Sequence, residues 1–170
     1  MPLLLEGFYK EALKSIQAFN NFVNQYQLTD KAVSDHLSYK CASADEFHQL
    51  RQLFEGGSDY IFQSIISKRR IDIIKLINPI ETSCGPVFFL ELSDQKPDGS
   101  QKSGFDHLEF FPSQNSVQDF VKYLTDKNIT VIKADRPHHI TYDISLEENF
   151  KIRIEPESLI KKIIREEMLF

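Results

Sequence analysis

Cysteine is scarce: the chain of 170 residues has two, Cys41 and Cys84. They form no C-x-x-C pair and suggest no disulfide framework; Cys41, in a strand-like run, reads as a small core hydrophobe. Glycine and proline, at 6 and 7 residues, are not enriched, and no segment is of low complexity, which argues against a disordered chain. Long apolar runs are missing too, and none approaches the ~20 residues of a membrane span. Met1 to Leu5 is too short for the apolar part of a signal peptide and has no basic flank or small-residue cleavage site. A cytoplasmic protein with no membrane partner is the expectation. Positive charge is in deficit, with a net charge of −5. That excludes a broad nucleic-acid footprint, which needs a surplus of clustered Lys and Arg. Lys68-Arg69-Arg70 and Lys161-Lys162 read as a solvated turn and a helix face.

What is present is aromatic bulk, 14 Phe and 6 Tyr. A chain of this length buries roughly 70% of its unfolded surface and suits one domain. Residues 3–27 have the period of an amphipathic helix, with Leu4, Leu5, Phe8, Ala12, Ile16, Phe19, Phe22, Val23 and Tyr26 on one stripe. The stripe packs against the rest of the chain or against a second copy. Residues 32–41 alternate, Val33, Asp35, Leu37, Tyr39 and Cys41 facing one way and Ser34, His36, Ser38 and Lys40 the other. Ser43-Ala44-Asp45-Glu46 is a capping-box signature ahead of a helical stripe that Gly56-Gly57 stops. Strand-like runs follow at 59–67, at 70–77 (which Pro79 breaks) and at 87–92, where Val87, Phe89 and Glu91 share a face.

Residues 93–103 form the one linker. Then Gly104-Phe105-Asp106-His107-Leu108-Glu109-Phe110-Phe111 restarts the pattern. It repeats Asp35-His36-Leu37 at a distance of 71 residues and carries Phe105, His107, Glu109 and Phe111 on one face. Ser116-Val117-Gln118-Asp119 opens a second helix, running up to Asn128. Strands at 129–134, 139–146 and 149–155 end in Glu155, 64 residues after Glu91. Residues 157–169 close the chain with a helix burying Leu159, Ile160, Ile163, Ile164 and Met168. One βαβββ unit therefore occurs twice, at 32–92 and 104–156. The predicted fold is α+β: two modules forming a curved, partly closed mixed sheet, with added N-terminal and C-terminal helices.

Two such sheets side by side enclose a trough lined by Ser34, His36, Ser38, Lys40, Glu91, His107, Glu109, Lys151, Arg153 and Glu155. The other reading is a sheet with one face in water. The phenylalanines sharing the histidine-bearing face favour the trough. Two imidazoles and two carboxylates from separate strands make a ligand set for a divalent first-row metal. Lys40 and Arg153 on that face suit an anionic group, or pair with Glu109 or Glu155. Glu109 stands two residues from His107 as a supporting or substitute ligand. His138-His139, after Pro137, reads as loop.

On DHLSYKC at 35–41, ELSD at 91–94, GFDHLEFF at 104–111 and KIRIEP at 151–156, the chain resembles the vicinal-oxygen-chelate superfamily. That superfamily includes glyoxalase I, extradiol dioxygenases and bleomycin-resistance proteins. The resemblance is strongest to its YecM-like branch, small bacterial proteins with an added N-terminal helix. It implies a glyoxalase/dioxygenase fold with metal ligands on the first and last strand of each unit, here His36, Glu91, His107 and Glu155. The implied cofactor is a divalent metal (Ni, Zn, Fe or Mn), with Glu155 or Glu91 as base and Lys40, Glu109 and Arg153 contacting substrate. The implied activity is isomerase or lyase chemistry on a small carbonyl or carboxylate metabolite. The alternatives are an iron-dependent dioxygenase and a metal-free small-molecule binding module. No glutathione-binding set is identifiable, and the protein is expected as a monomer or a homodimer.

Overall fold

Each predicted capping serine starts a helix: Ser43 Oγ accepts a hydrogen bond from Glu46 N, and Ser116 Oγ one from Asp119 N. Glu46 also turns back, accepting from Ala42 N at 2.8 Å and from the Tyr39 hydroxyl at 2.8 Å. That contact ties the first turn of the helix to the end of the preceding strand. The computed structural model describes residues 4–66, 68–136 and 139–167. In order these form α1 (Leu5–Gln25), β1 (Ala32–Lys40), α2 (Ala44–Glu55), β2 (Ser58–Ile66), β3 (Arg69–Ile80) and β4 (Val87–Ser93). The pattern recurs in β5 (Gly104–Pro112), α3 (Val117–Asp126), β6 (Ile132–Asp135), β7 (Ile140–Glu147) and β8 (Phe150–Ile154), before α4 (Leu159–Glu167).

All eight strands belong to one open mixed sheet, in the order β2-β3-β4-β1-β5-β8-β7-β6. Within each repeat the first and last strands pair in parallel, β1 with β4 and β5 with β8, while β1 and β5 pair antiparallel at the centre. The first strands of the two repeats are therefore neighbours, and whatever they carry outward from the core meets at the seam.

Three helices cover one face. Phe8, Ala12, Ile16, Phe19 and Val23 of α1 join Phe47, Leu50 and Phe54 of α2 and Phe120 and Leu124 of α3 in the main core, over Leu37, Leu90, Leu108, Phe110, Ile152 and Ile154 of the strands. The α1 stripe thus packs on its own sheet, although Leu4 is exposed at the helix entry. Helix α4 takes the opposite face. Its Ile163 and Leu159 form a second apolar cluster with Phe62, Ile71, Ile73 and Phe89 of β2, β3 and β4. Ile164, expected on the buried side, is exposed, and Met168 lies outside the described residues.

Strict alternation fails at several places, each for a local reason. Asp35 is an extra residue between the pairs Ser34–Phe110 and His36–Glu109, and Asp106 is another between Ser38–His107 and Tyr39–Phe105. Each is a β-bulge, which adds one residue and reverses the parity beyond it. So Val33 is exposed instead of buried, and the Ser34 hydroxyl bonds Thr82 in the β3–β4 connection. Phe105 leaves the histidine face and packs against Phe8 and Tyr39. On β4, Val87 belongs to the main core whereas Phe89 lies under α4. β3 does not stop at Pro79: its pairing with β4 skips from Lys75–Phe89 to Ile80–Val87, and the proline sits in the skipped stretch, where no ladder donor is required.

Both thiols are free and buried, and burial pushes Cys84 up to about 12. Neither is expected to react with a thiol reagent such as DTNB until the chain is unfolded; a fast native-state reaction would contradict this packing.

Candidate metal centre

Register brings the expected side chains together. Pairing runs across the sheet from Ile73 to Glu91, Ser38, His107 and Lys151, and two residues away from Phe89 to His36, Glu109, Arg153 and Asp143. Laterally paired residues point to the same face. Two imidazoles and two carboxylates therefore converge at the β4-β1-β5 seam, on the face away from α1, α2 and α3.

His36 and His107 are 1% and 2% exposed. His36 Nε2 lies 3.4 Å from Glu109 Oε2 and 3.7 Å from Glu91 Oε2, and His107 Nε2 lies 3.9 Å from Glu109 Oε2. Ligand atoms of His36, Glu91 and His107 all lie within 4.8 Å of one another, as do those of Asp35, His36 and Glu109. Two atoms each bound at about 2.1 Å to one cation lie at most about 4.2 Å apart. The three measured separations meet that condition, and the donors are ones a divalent first-row metal accepts.

The two bulges orient the rings. Asp35 Oδ2 is 2.8 Å from His36 Nδ1, and Asp106 Oδ2 is 2.7 Å from His107 Nδ1. A carboxylate at Nδ1 holds a proton there, which makes Nε2 the atom that each ring turns to the seam for a metal. Asp35 Oδ2 also accepts from Leu159 N at 2.8 Å, linking the start of α4 to the same ring. Buried His36 Nε2 has no hydrogen-bond partner among the described residues. A buried polar atom left in that state needs an explanation.

The electrostatics are those of a crowded acidic site. Burial alone would lower His36, yet Glu109, Asp35 and Glu91 raise it to about 9. Burial lowers His107 to about 4, helped by Arg153 and opposed by the Asp106 bond. Burial, with Glu155 and Glu91 close by, pushes Glu109 up to about 7 against the pull of His36. Glu91 moves down: His36, His107, the Ser38 hydroxyl and Lys40 outweigh its burial.

Of the four expected ligands, His36, Glu91 and His107 meet. Glu155 is buried and belongs to neither of the two groups within 4.8 Å. Its carboxylate is 2.9 Å from Lys162 Nζ on α4 and 3.2 Å from His139 Nε2. Glu109, expected to contact substrate, sits between the two rings. Lys40 Nζ is 2.9 Å from Asp106, and Arg153 makes two hydrogen bonds to Asp143, at 2.9 and 3.2 Å. His138 lies outside the described residues; His139, read as loop, faces Glu155. Sequence reasoning missed Asp35, Asp106, Asp143 and Lys162. Asp35 and Asp106 had a signal, since both copies of the repeat are Asp-His-Leu.

Arg153 supports a pH prediction. Burial would raise Asp143, but the Arg153 hydrogen bonds, with Lys151 and Arg136, hold it below its ordinary 3.8. A depressed carboxylate contributes stability above its unfolded-state value and loses it as pH falls through the folded-state value. The stability gap between the wild-type protein and Asp143→Asn, from urea unfolding, is therefore expected to be largest near neutrality and to shrink below pH about 4. A gap that widened on acidification would reverse the assignment.

A model of the YecM protein family matches residues 6–164. Among solved structures, a structural-genomics protein, EC4020, is similar at 19% identity with a TM-score of 0.72, covering 96% of this chain and 92% of that one. The hydroxyglutarate synthase of Oryza sativa, solved in complex with 2-oxoadipate, is similar at 10% identity with a TM-score of 0.52, covering 95% of this chain and 85% of that one. No curated protein matches the sequence. Among the described residues no helix is long and apolar enough to cross a membrane.

Proposed function

The chain belongs to the YecM protein family, and from that premise we propose that its seam holds a divalent metal ion on His36, Glu91 and His107. Glu109 is the fourth ligand of this proposal in place of Glu155, because Glu109 lies 3.4 Å from His36 Nε2 while Glu155 is engaged by Lys162 and His139. The observation that carries the reading is His36 Nε2, buried with no hydrogen-bond partner among the described residues and faced by two carboxylate oxygens at 3.4 and 3.7 Å. An enzyme of the vicinal-oxygen-chelate type follows, an isomerase or lyase acting on a small oxygenated metabolite. The ion would supply Lewis acidity to two neighbouring substrate oxygens. Glu91 is the most accessible carboxylate of the set, with 21% of its side chain exposed against 8% for Glu109 and 5% for Glu155. It is the proposed base for a proton next to a carbonyl, and Glu155, beside Glu109, is the second candidate. Lys40 and Arg153 stand where a charged substrate group would be held.

The trio His36, Glu91 and His107 favours one second reading. Two histidines and a carboxylate are the ligand set of iron-dependent oxygenases. Elemental analysis of tag-free protein decides. About one nickel, zinc, manganese or iron per chain, lost in His36→Ala, is the expected result. Iron would point to oxygenation and nickel or zinc to isomerisation. Protein that stays metal-free in the presence of all four ions would defeat the proposal and leave a small-molecule binding module.

A further inference from the structure

The two flanks of the metal centre differ in chemistry. On the first-repeat side, the face next to Glu91 is apolar and already filled: Ile163 and Leu159 of α4 pack on Ile71, Ile73, Phe62 and Phe89. On the second-repeat side, beyond His107 and Glu109, no such cover is in place among the described residues, and the residues there are charged. Lys151 pairs laterally with His107, and Arg153 with Glu109. Asp143 pairs with Arg153 one strand further out.

This cluster is out of balance. Asp106 is approached by Lys40 at 2.9 Å and Lys151 at 3.9 Å. Asp143 is approached by Arg153 at 2.9 Å, and by Lys151 and Arg136 at 3.8 Å each. Four cations thus share two carboxylates, leaving two positive charges in a protein whose net charge is −5. Of the nearby carboxylates, Glu155 has Lys162, and the charges of Glu91 and Glu109 are matched by the proposed divalent ion. The exposed Glu147 and Glu148 share a cavity wall with Lys102 and form no ion pair with these four cations among the described residues. Lys151 and the terminal nitrogens of Arg136 also have geometry to spare. Arg136 Nε donates to Thr141 Oγ1 at 3.0 Å, but the contacts of the two cations to the carboxylates, at 3.8–3.9 Å, are too long for hydrogen bonds. Their side chains are 31% and 38% exposed. A cavity of about 410 Å³ opens at this flank, with Asp106, Lys151 and Ser145 in its wall together with Lys102, Glu147 and Glu148.

We propose that a substrate reaches the metal centre only from the second-repeat side and carries an oxyanion group, a carboxylate or a phosphate, that Lys151 and Arg136 bind while Asp143 holds Arg153 beside them. This inference rests on the metal-centre reading for the place of the reacting atoms, but the oxyanion site consists of side chains alone. The ammonium of Lys151 and the planar fork of Arg136 suit the charge and the shape of such a group. The apolar packing under α4 rejects it on the other flank, since an unpaired charge there would be costly to bury.

The test uses chelator-stripped and metal-loaded protein, titrated calorimetrically with inorganic phosphate, malonate and the uncharged malonamide. Phosphate or malonate is expected to bind both forms, more weakly in the stripped form where no ion matches the charges of Glu91 and Glu109, and malonamide neither; the tighter of the two anions identifies the group. Lys151→Ala and Arg136→Gln should each weaken the anion about 10-fold, the scale of one charge-assisted hydrogen bond. Lys133→Ala, an exposed lysine on β6, should leave binding unchanged. Failure of both anions to bind either form, or undiminished binding in the Lys151→Ala/Arg136→Gln double variant, would overturn the proposal. A protein that binds the anion through these residues but takes up no metal would sink the metal-centre reading and leave the oxyanion site standing.

Discussion

Asp35→Asn and Asp106→Asn are each expected to weaken divalent-metal binding by about 10- to 100-fold, although neither residue is a proposed ligand. The loss follows from what each carboxylate does. It accepts a hydrogen bond from the Nδ1–H of the adjacent ring at 2.8 or 2.7 Å, fixing both the tautomer and the ring plane. An asparagine in its place is a weaker acceptor and offers an amide that repels an Nδ1–H, so the ring can turn or shift its proton to Nε2, the atom the metal needs. Partners of ligating histidines commonly carry effects of this size. A merely structural role for the aspartates predicts something else, a lower melting temperature with unchanged affinity. Two readouts separate the cases. Competition titration against a chelating dye gives the affinity, and nitrogen-15 shifts of His107 in metal-free protein report the tautomer directly. His107 is neutral at pH 7, being held down to about 4, so its tautomer is readable there. Wild-type protein should show the proton on Nδ1 and Asp106→Asn a mixture. Unchanged affinity together with an unchanged tautomer would remove the aspartates from the site.

The duplication was legible because it depends on identities: two Asp-His-Leu copies, two capping serines and the spacing of the final strands are visible without coordinates. Facing was less legible, because alternation assumes that every residue advances the strand by one step. The bulges at Asp35 and Asp106 break that assumption and reverse the facing of Val33, Ser34 and Phe105. Glu109 and Glu155 show the same limit in another form. Both lie on the trough face by parity, but lateral register places Glu109 opposite His36, while β8 ends at Ile154, one residue before Glu155. Register comes from pairing between distant segments, which a single sequence does not contain. The amphipathic period of α4 showed that the helix has a buried side, but not which face of the sheet it covers. That choice of face leaves one flank of the centre apolar and the other cationic.

Phe8→Ala is expected to cost about 3–5 kcal/mol, the range for deleting a buried aromatic ring. That is a large part of the roughly 5–15 kcal/mol holding a domain together. Phe8 is 1% exposed and its ring meets three others: Tyr39 at 5.3 Å, and Phe54 and Phe105 at 5.1 Å. Those partners come from β1, α2 and β5, so this α1 side chain packs on both repeats across the seam that carries the histidines on its other face. Collapse around the missing ring is limited, because the strands beneath it are fixed by their ladders and the helix is anchored further along by Phe19 against Phe110, with ring centroids 6.0 Å apart. The exposed face of α1 provides the control. Leu13 is 56% exposed, and Leu13→Ser should stay within about 0.5 kcal/mol of wild type. Urea unfolding at two protein concentrations tests whether α1 belongs to its own sheet. If it does, the midpoint drops in Phe8→Ala by the same amount at both concentrations. A small drop that grows on dilution would mean that α1 owes its burial to a second copy of the chain, and that these ring contacts are not what holds it.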